Sequence, residues 1–332
     1  MMNTNLLESV LIEPAKNGCN KLLIASGYGS ATMASYHIEN LLKFNQDIRI
    51  QLILGMPIKE GIVKKDHLGF KELSSINYIT KFECRYLAKL PQMHSKLYIW
   101  LNNDVPKLSF IGSANYTQLA FSHNQRELMT KSNIIESLNY YQSIYNDSID
   151  CRDSNAENLF NIYEEKFYKS FIKKRSIVEK EKSESDIFVD SQFDNFNNLD
   201  KITISLLDNN GKLPEHSGLN WAFRTKYTRH DRNQAYIRVP ANIAKSDYFP
   251  EIAKHFTVLT DDDKPLICCI AQQGRKGIHT PLNNGIMGEY FRNRLGLPNG
   301  SFITTEDLVS YGRTDVDFYK IDNETYFLDF SV

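Results

Sequence analysis

Short apolar, strand-like runs alternate with segments of helical spacing through the first half of the chain. Lys21 to Ser26 is an apolar run that ends in a Gly-Tyr-Gly turn. Ala31 to Phe44 carries apolar residues at helical spacing, and Ile48 to Leu54 is a β-rich run closed by Gly55 and Pro57. His94 to Leu101 alternates and is rich in aromatic and β-branched residues, as a strand should be. Asn102 to Pro106 is a turn cluster, Leu108 to Ile111 returns as a strand into Gly112-Ser113, and Glu127 to Lys131 is a further strand. Ile134 to Tyr145 and Ala156 to Ile172 read as helices. Strands alternating with helices favour a mixed sheet covered by helices.

The pattern changes at Lys173. From 173 to 200 the chain holds 5 Lys and Arg against 7 Asp and Glu, with no apolar face to bury. That composition predicts a charged linker. From Lys201 onward, six short β-like pieces (Ile202–Leu207, Ala235–Val239, Phe256–Leu259, Leu266–Ile270, Asp317–Ile321, Thr325–Phe330) are separated by turn-rich loops. Only Gly288 to Leu295 has helical character there. Many short strands predict a small barrel or sandwich. The division expected is 1–172, a linker over 173–200, and 201–332.

Length and composition agree with two folded domains. The chain has 332 residues, 42% of them hydrophobic and 24% charged, which excludes wholesale disorder and small disulfide scaffolds. No apolar run approaches the ~18 residues of a membrane span, and Met1 to Pro14 lacks the pattern of a secretory leader. A cytoplasmic protein without a membrane role is expected. The five cysteines show no Cys-x-x-Cys pair, so reduced, buried thiols are expected rather than a zinc site.

Net charge is −1, so a nucleic-acid partner has to be argued from local distribution. In the second half the 16 basic residues are matched by 16 acidic ones, but they are unevenly placed. Residues 220–240 hold Trp221, Arg224, Lys226, Arg229, Arg232 and Asn233 with only Asp231 opposing. Residues 272–294 hold Gln273, Arg275, Lys276, His279, Asn283 and Asn284. Such side chains on loops clamp phosphates and read guanine and adenine edges. Trp221 serves either as a loop anchor or as a base contact.

The sharpest chemical signal is His94-Ser95-Lys96, then fifteen residues, then Gly112-Ser113-Ala114-Asn115, with Glu127 twelve residues further on. His94 and Lys96, two apart on an expected strand, would share a face. If the two strands pair through the Asn102–Pro106 turn, His94, Lys96 and Asn115 converge at one end of the hairpin. An imidazole can attack phosphorus, while lysine and an asparagine amide stabilise charge on the non-bridging oxygens. A carboxylate such as Glu127 can hold the histidine's orientation. Ser113 either donates to phosphate or makes the turn. No metal and no cofactor are called for.

His-x-Lys followed by Gly-Ser-x-Asn resembles the phospholipase D superfamily. The resemblance implies His94 as nucleophile, Lys96 and Asn115 as phosphate ligands and Glu127 as the residue orienting histidine. The pattern departs in one place: the family's aspartate falls on Leu101, and the lysine-to-glycine gap is four residues longer, so Asp104 is given no role. The superfamily site takes two such motifs and this chain has one, which implies a homodimer with the site on its two-fold axis.

The whole chain resembles restriction endonucleases of the NgoFVII type. The likeness is carried by Gly218-Leu-Asn-Trp221, Asn233-Gln-Ala-Tyr-Ile-Arg238, His255-Phe-Thr-Val-Leu-Thr260, Ile278-His-Thr-Pro281, Gly288-Glu-Tyr-Phe-Arg-Asn-Arg-Leu-Gly-Leu-Pro298 and Tyr311-Gly-Arg-Thr-Asp315. It implies an α/β phospholipase-D-like domain, a mixed sheet with helices on both faces. A mainly-β DNA-binding pseudobarrel follows it. The resemblance adds Arg313 to the DNA contacts, and implies a type II restriction endonuclease acting on double-stranded DNA. Some relatives work with a companion ATPase or helicase subunit; this chain has no G-x-x-x-x-G-K-[S/T] loop of its own. Two other functions fit parts of the same sequence: a phospholipase-D-like enzyme acting on lipid, and a DNA-binding protein whose nuclease is dormant without a partner.

Overall fold

A computed structural model describes residues 1–75, 81–122, 125–164, 199–224 and 231–332. The chain forms two compact units, Met1–Tyr163 and Glu164–Val332. The charged stretch 173–200 lies, but for its last two residues, outside the described residues.

The first unit is built on a seven-stranded mixed sheet. Its strands are β1 (Lys21–Ser26), β2 (Arg49–Leu54), β4 (Lys81–Leu87), β5 (Lys96–Asn102), β6 (Val105–Gly112), β7 (Met129–Lys131) and β8 (Ser148–Asp150), in the order β7-β6-β5-β1-β2-β4-β8. β1, β2 and β4 run parallel, and the remaining pairs are antiparallel. A separate two-stranded ladder joins β3 (Ile62–Val63) to β9 (Ile162–Tyr163).

Central strands covered on both faces must be apolar on both faces. β1 and β5 accordingly bury nearly every residue. On one face Leu23, Ala25, Ile53, Leu97 and Ile99 pack with Tyr141 and Ile144 of the helix Ile134–Asn146. On the other, Trp100 donates its indole N–H to Val10 at 2.7 Å and meets His37 of the helix Ala31–Leu42 edge-on. Phe82 stacks on Phe70 of the helix Lys64–Ser75 there. Helices therefore lie on both faces, as expected. The helix expected from Ala156 stops at Leu159. Phe160 turns extended, and the chain enters β9 against β3; residues 165–198 lie outside the described part.

The second unit holds one seven-stranded sheet of β10 (Lys201–Ser205), β11 (Ile237–Arg238), β12 (His255–Thr260), β13 (Pro265–Ala271), β14 (Gly277–His279), β15 (Asp315–Lys320) and β16 (Thr325–Asp329). Its order is β10-β15-β16-β12-β13-β14-β11. Only β12 and β16 pair in parallel. Alternate residues form one core: Phe256 and Val258, Leu266, Cys268 and Ile270, Val316 and Phe318, Tyr326 and Leu328. Ile204 and Ile237, from the two edge strands, join that same core, so the sheet curls into a barrel-like form around it.

The expected helix runs over Gly285–Arg294. Besides the short helix Ala241–Ala244 and the 3-10 segment Gly218–Arg224, a further helix, Thr305–Tyr311, corrects the expectation of a single one. Its signal was present. Thr304 accepts from the Asp307 N–H while the Asp307 carboxylate accepts from the Thr304 N–H, a capping box that closes the free N-terminal amides. With only seven residues its periodicity was too short to register. All five cysteines are buried and none forms a disulfide. Among the described residues no helix is long and apolar enough to cross a membrane.

Candidate functional site

Register gathers the site at one end of the first sheet. Ser26, the last residue of β1, lies opposite Lys96, the first of β5. Leu97 lies opposite Ile111, one residue before the end of β6 at Gly112. His94 precedes β5 rather than belonging to it. It is exposed, whereas Lys96 is 6% exposed. A shared strand face is therefore not what joins them. The Lys96 ammonium donates to the His94 carbonyl at 2.6 Å. Burial pushes the Lys96 pKa down, and the negative charge of Glu127 works against that shift.

Asn115 follows the turn at the end of β6. Its carboxamide oxygen accepts the Tyr28 N–H at 3.2 Å. Tyr28 belongs to the Gly27-Tyr28-Gly29 segment after β1, and its ring meets the His94 imidazole edge-on at 5.8 Å. The Tyr28 hydroxyl donates to Glu60 at 2.8 Å. A β-carbon on Gly27 would lie 2.9 Å from His94 Cδ2 and 3.6 Å from Asn115 Oδ1. His94, Lys96 and Asn115 thus do come together, and the element between them is a turn that sequence reading had treated as punctuation. A strand running into Gly-x-Gly was the available signal.

Glu127 meets Ser113 rather than His94. The Ser113 hydroxyl donates to Glu127 Oε2 and accepts the Leu128 N–H. Among the described residues no hydrogen bond joins Glu127 to His94. Glu127 reaches the site through Ser113 and through its field on Lys96.

In the second unit the expected DNA-binding residues separate by exposure. Arg232, Gln273 and Lys276 are exposed. Lys226 and Arg229 lie outside the described residues. Arg224 lies over the Trp221 ring at 4.2 Å and bonds the Trp221 carbonyl, and Trp221 packs edge-on against Tyr236. Asn233 accepts the Gly300 N–H at 2.7 Å. Asn283 accepts the Gly285 N–H at 2.9 Å. The Asn284 carbonyl accepts the Ala235 N–H at 3.2 Å. His279 Nε2 lies 3.1 Å from Cys269 Sγ.

Two arginines face inward. Arg275 donates to the carbonyls of Phe249 and Pro250 at 2.6 and 3.0 Å. Arg313 is held by Asp315, Asp317 and Asp329 and by the Ser331 carbonyl.

A groove of about 520 Å³ is lined by Ser217, Tyr236, Arg238, Gln272, Lys276 and neighbours, and Lys276 is among the expected DNA contacts. Arg238 pairs with Gly277 across β11 and β14, which sets it beside Lys276. Among the described residues no group of three or more histidines, cysteines and carboxylates is placed to hold a metal ion.

Residues 4–158 match the NgoFVII restriction endonuclease N-terminal PLD domain, and residues 194–322 match the NgoFVII C-terminal B3-like DNA-binding domain. The protein is a phospholipase-D-type nuclease joined to a B3-like DNA-binding domain. The two matches span most of the chain in the family's own order, and the chain belongs to the NgoFVII restriction endonuclease family.

Solved structures similar to the chain include the following three. NucT from Helicobacter pylori is 22% identical, with 42% of this chain and 87% of that one covered at a TM-score of 0.32. Nuc from Salmonella typhimurium, a phospholipase D family member, is 16% identical over the same shares, 42% and 87%, at 0.30. Polyphosphate kinase from Porphyromonas gingivalis is 14% identical over 52% and 26% at 0.33. No curated protein matches the chain significantly.

Proposed function

We propose that this protein is a type II restriction endonuclease that hydrolyses double-stranded DNA through a covalent phosphohistidine at His94, without a metal ion. The observation that carries this reading is the convergence of exposed His94 with Lys96 and Asn115 in a chain that also bears a DNA-binding domain. An imidazole nitrogen of His94 attacks phosphorus; an N–P bond forms and the P–O bond to one deoxyribose breaks. Lys96 and the Asn115 amide stabilise charge on the non-bridging oxygens. Glu127, held by Ser113, supports the charge on Lys96 rather than orienting His94. The His94 of a second copy protonates the leaving oxygen, and water then cleaves the N–P bond.

The single motif per chain supports a homodimer. So does the apolar surface of Ile111 and Leu128, 44% and 46% exposed beside Ser113. In the second unit Arg238, Lys276 and Arg232 clamp phosphates, and Gln272 and Gln273 read base edges. Trp221, Arg224, Asn233, Asn283 and Asn284 shape the loops that carry them. Arg275 and Arg313 hold the fold.

Plasmid cleavage in EDTA by the purified protein, beside His94→Ala, tests this. Discrete fragments from wild type and none from the variant are expected. Cleavage that survives His94→Ala, or that needs added metal, overturns the mechanism.

A further inference from the structure

Ser26 carries no chemistry in the scheme above, yet it is fully buried at the point where three parts of the site meet. Its hydroxyl accepts the Tyr116 N–H at 3.0 Å and donates to the Tyr28 carbonyl at 2.6 Å. A hydroxyl has one proton, so the 3.4 Å approach to Asn115 Oδ1 is the weaker alternative. Ser26 therefore pins the Gly-Tyr-Gly turn to the residue that follows Asn115.

The turn in turn fixes Asn115. A carboxamide has one oxygen and one NH₂ group, and which end faces a ligand is set by what the other end bonds. The Asn115 oxygen takes the Tyr28 N–H, so its two N–H donors are the end left for phosphate. Tyr116 is anchored from behind as well: its hydroxyl meets His37 Nδ1 at 2.8 Å, and His37 Nε2 meets the Leu11 carbonyl at 2.9 Å.

We propose that Ser26 is a positioning residue for phosphodiester cleavage, which through Tyr28 and Tyr116 holds Asn115 with its N–H donors toward the scissile phosphate. The proposal rests on the nuclease reading above. The Tyr116 N–H also reaches the Tyr28 carbonyl directly, at the longer distance of 3.3 Å, so removing the Ser26 hydroxyl leaves only that weaker link at this point and loosens the hold that keeps the Asn115 oxygen turned from the anionic substrate.

The test is steady-state hydrolysis of bis(4-nitrophenyl) phosphate, which bypasses DNA sequence recognition, alongside plasmid cleavage. The full chain is used as wild type, His94→Ala, Asn115→Ala, Ser26→Ala, Ser26→Cys and Ser26→Ala with Asn115→Ala. Ser26→Ala is expected to lower kcat about 10- to 100-fold, with KM changed less than about threefold, since small misplacements act mainly on the reacting geometry. Ser26→Cys keeps the packing and should fall between. In the Asn115→Ala background Ser26→Ala should cause no further loss, because residues that act through one another are non-additive.

Losses that multiply in the double variant would make Ser26 merely structural and overturn the proposal. So would wild-type kcat in Ser26→Ala, or in Ser26→Cys should the alanine variant not fold, while His94→Ala is dead. If His94→Ala is as active as wild type, the nuclease reading fails and takes the proposal with it.

Discussion

The imidazole of His94 occupies the space that a β-carbon on Gly27 would need, with Cδ2 2.9 Å from that position. Contacts that close force one partner to move. The His94 ring sits exposed at the end of a rotatable side chain, so it is the partner that yields. Gly27→Ala is therefore expected to leave the melting midpoint within a few degrees while lowering the cleavage rate at least about tenfold. Thermal unfolding and plasmid cleavage on the same preparation check this. Full activity in a folded Gly27→Ala variant would mean that the His94 position seen here is not the working one.

Glu127 favours the charged form of Lys96. Burial lowers the Lys96 pKa, and the Glu127 carboxylate opposes that shift. Glu127→Gln removes that opposing negative charge, so the Lys96 pKa falls further. Catalysis uses the ammonium form, and the alkaline limb of kcat/KM should move to lower pH in the variant. A limb that stays in place would separate Lys96 from the titration that limits the rate.

His37 makes stability depend on pH. Burial lowers its pKa to about 4 from an ordinary 6.5. Between those values the unfolded chain binds a proton that the folded chain refuses, so stability rises with pH across this window and is lost on acidification. A shift of that size corresponds to ~3 kcal/mol. Glu72, raised by burial to about 7 from 4.5, has the opposite slope in an overlapping window. The informative measurement is therefore a difference: unfolding free energies at neutral pH and near pH 4 for wild type and for His37→Gln. The wild type should lose more on acidification than the variant. An equal loss would show that His37 is protonated in the folded state.

Arg313 and Lys276 should separate stability from DNA affinity. Arg313→Ala removes the cation shared by Asp315, Asp317 and Asp329 and leaves only Lys201, on Asp317. Breaking such a largely buried cluster costs about 3 kcal/mol. Lys276 is exposed, and its alanine variant should stay within about 0.5 kcal/mol of wild type. Its effect belongs to the salt dependence: the slope of log affinity against log salt should fall by about one if Lys276 contacts a phosphate. Arg275→Ala, which abandons two backbone carbonyls, should behave like Arg313→Ala and leave the slope alone. A reduced slope for Arg275→Ala would place its guanidinium on DNA after all.

The chain's own pattern was sufficient for strands buried along nearly their whole length, such as β1, β5 and β13. Apolar periodicity is a local property, and burial enforces it at every position. The spacing of His94, Lys96, Gly112, Ser113 and Asn115 likewise pointed to phosphodiester chemistry, because few reactions need those groups together.

What the tertiary structure alone decided is how those groups are held. Ser26, Gly27 and Tyr28 stand about 70 to 90 positions from His94 and Asn115 in the chain, and only the β1–β5 register carries them to the same sheet end. The same holds for the basic residues of the second unit. Arg275 and Lys276 are neighbours with like charge, but one is turned to backbone carbonyls and the other to solvent. Hydrogen-bond partners and side-chain direction are set by contacts between distant segments, and a linear pattern records only which groups are available.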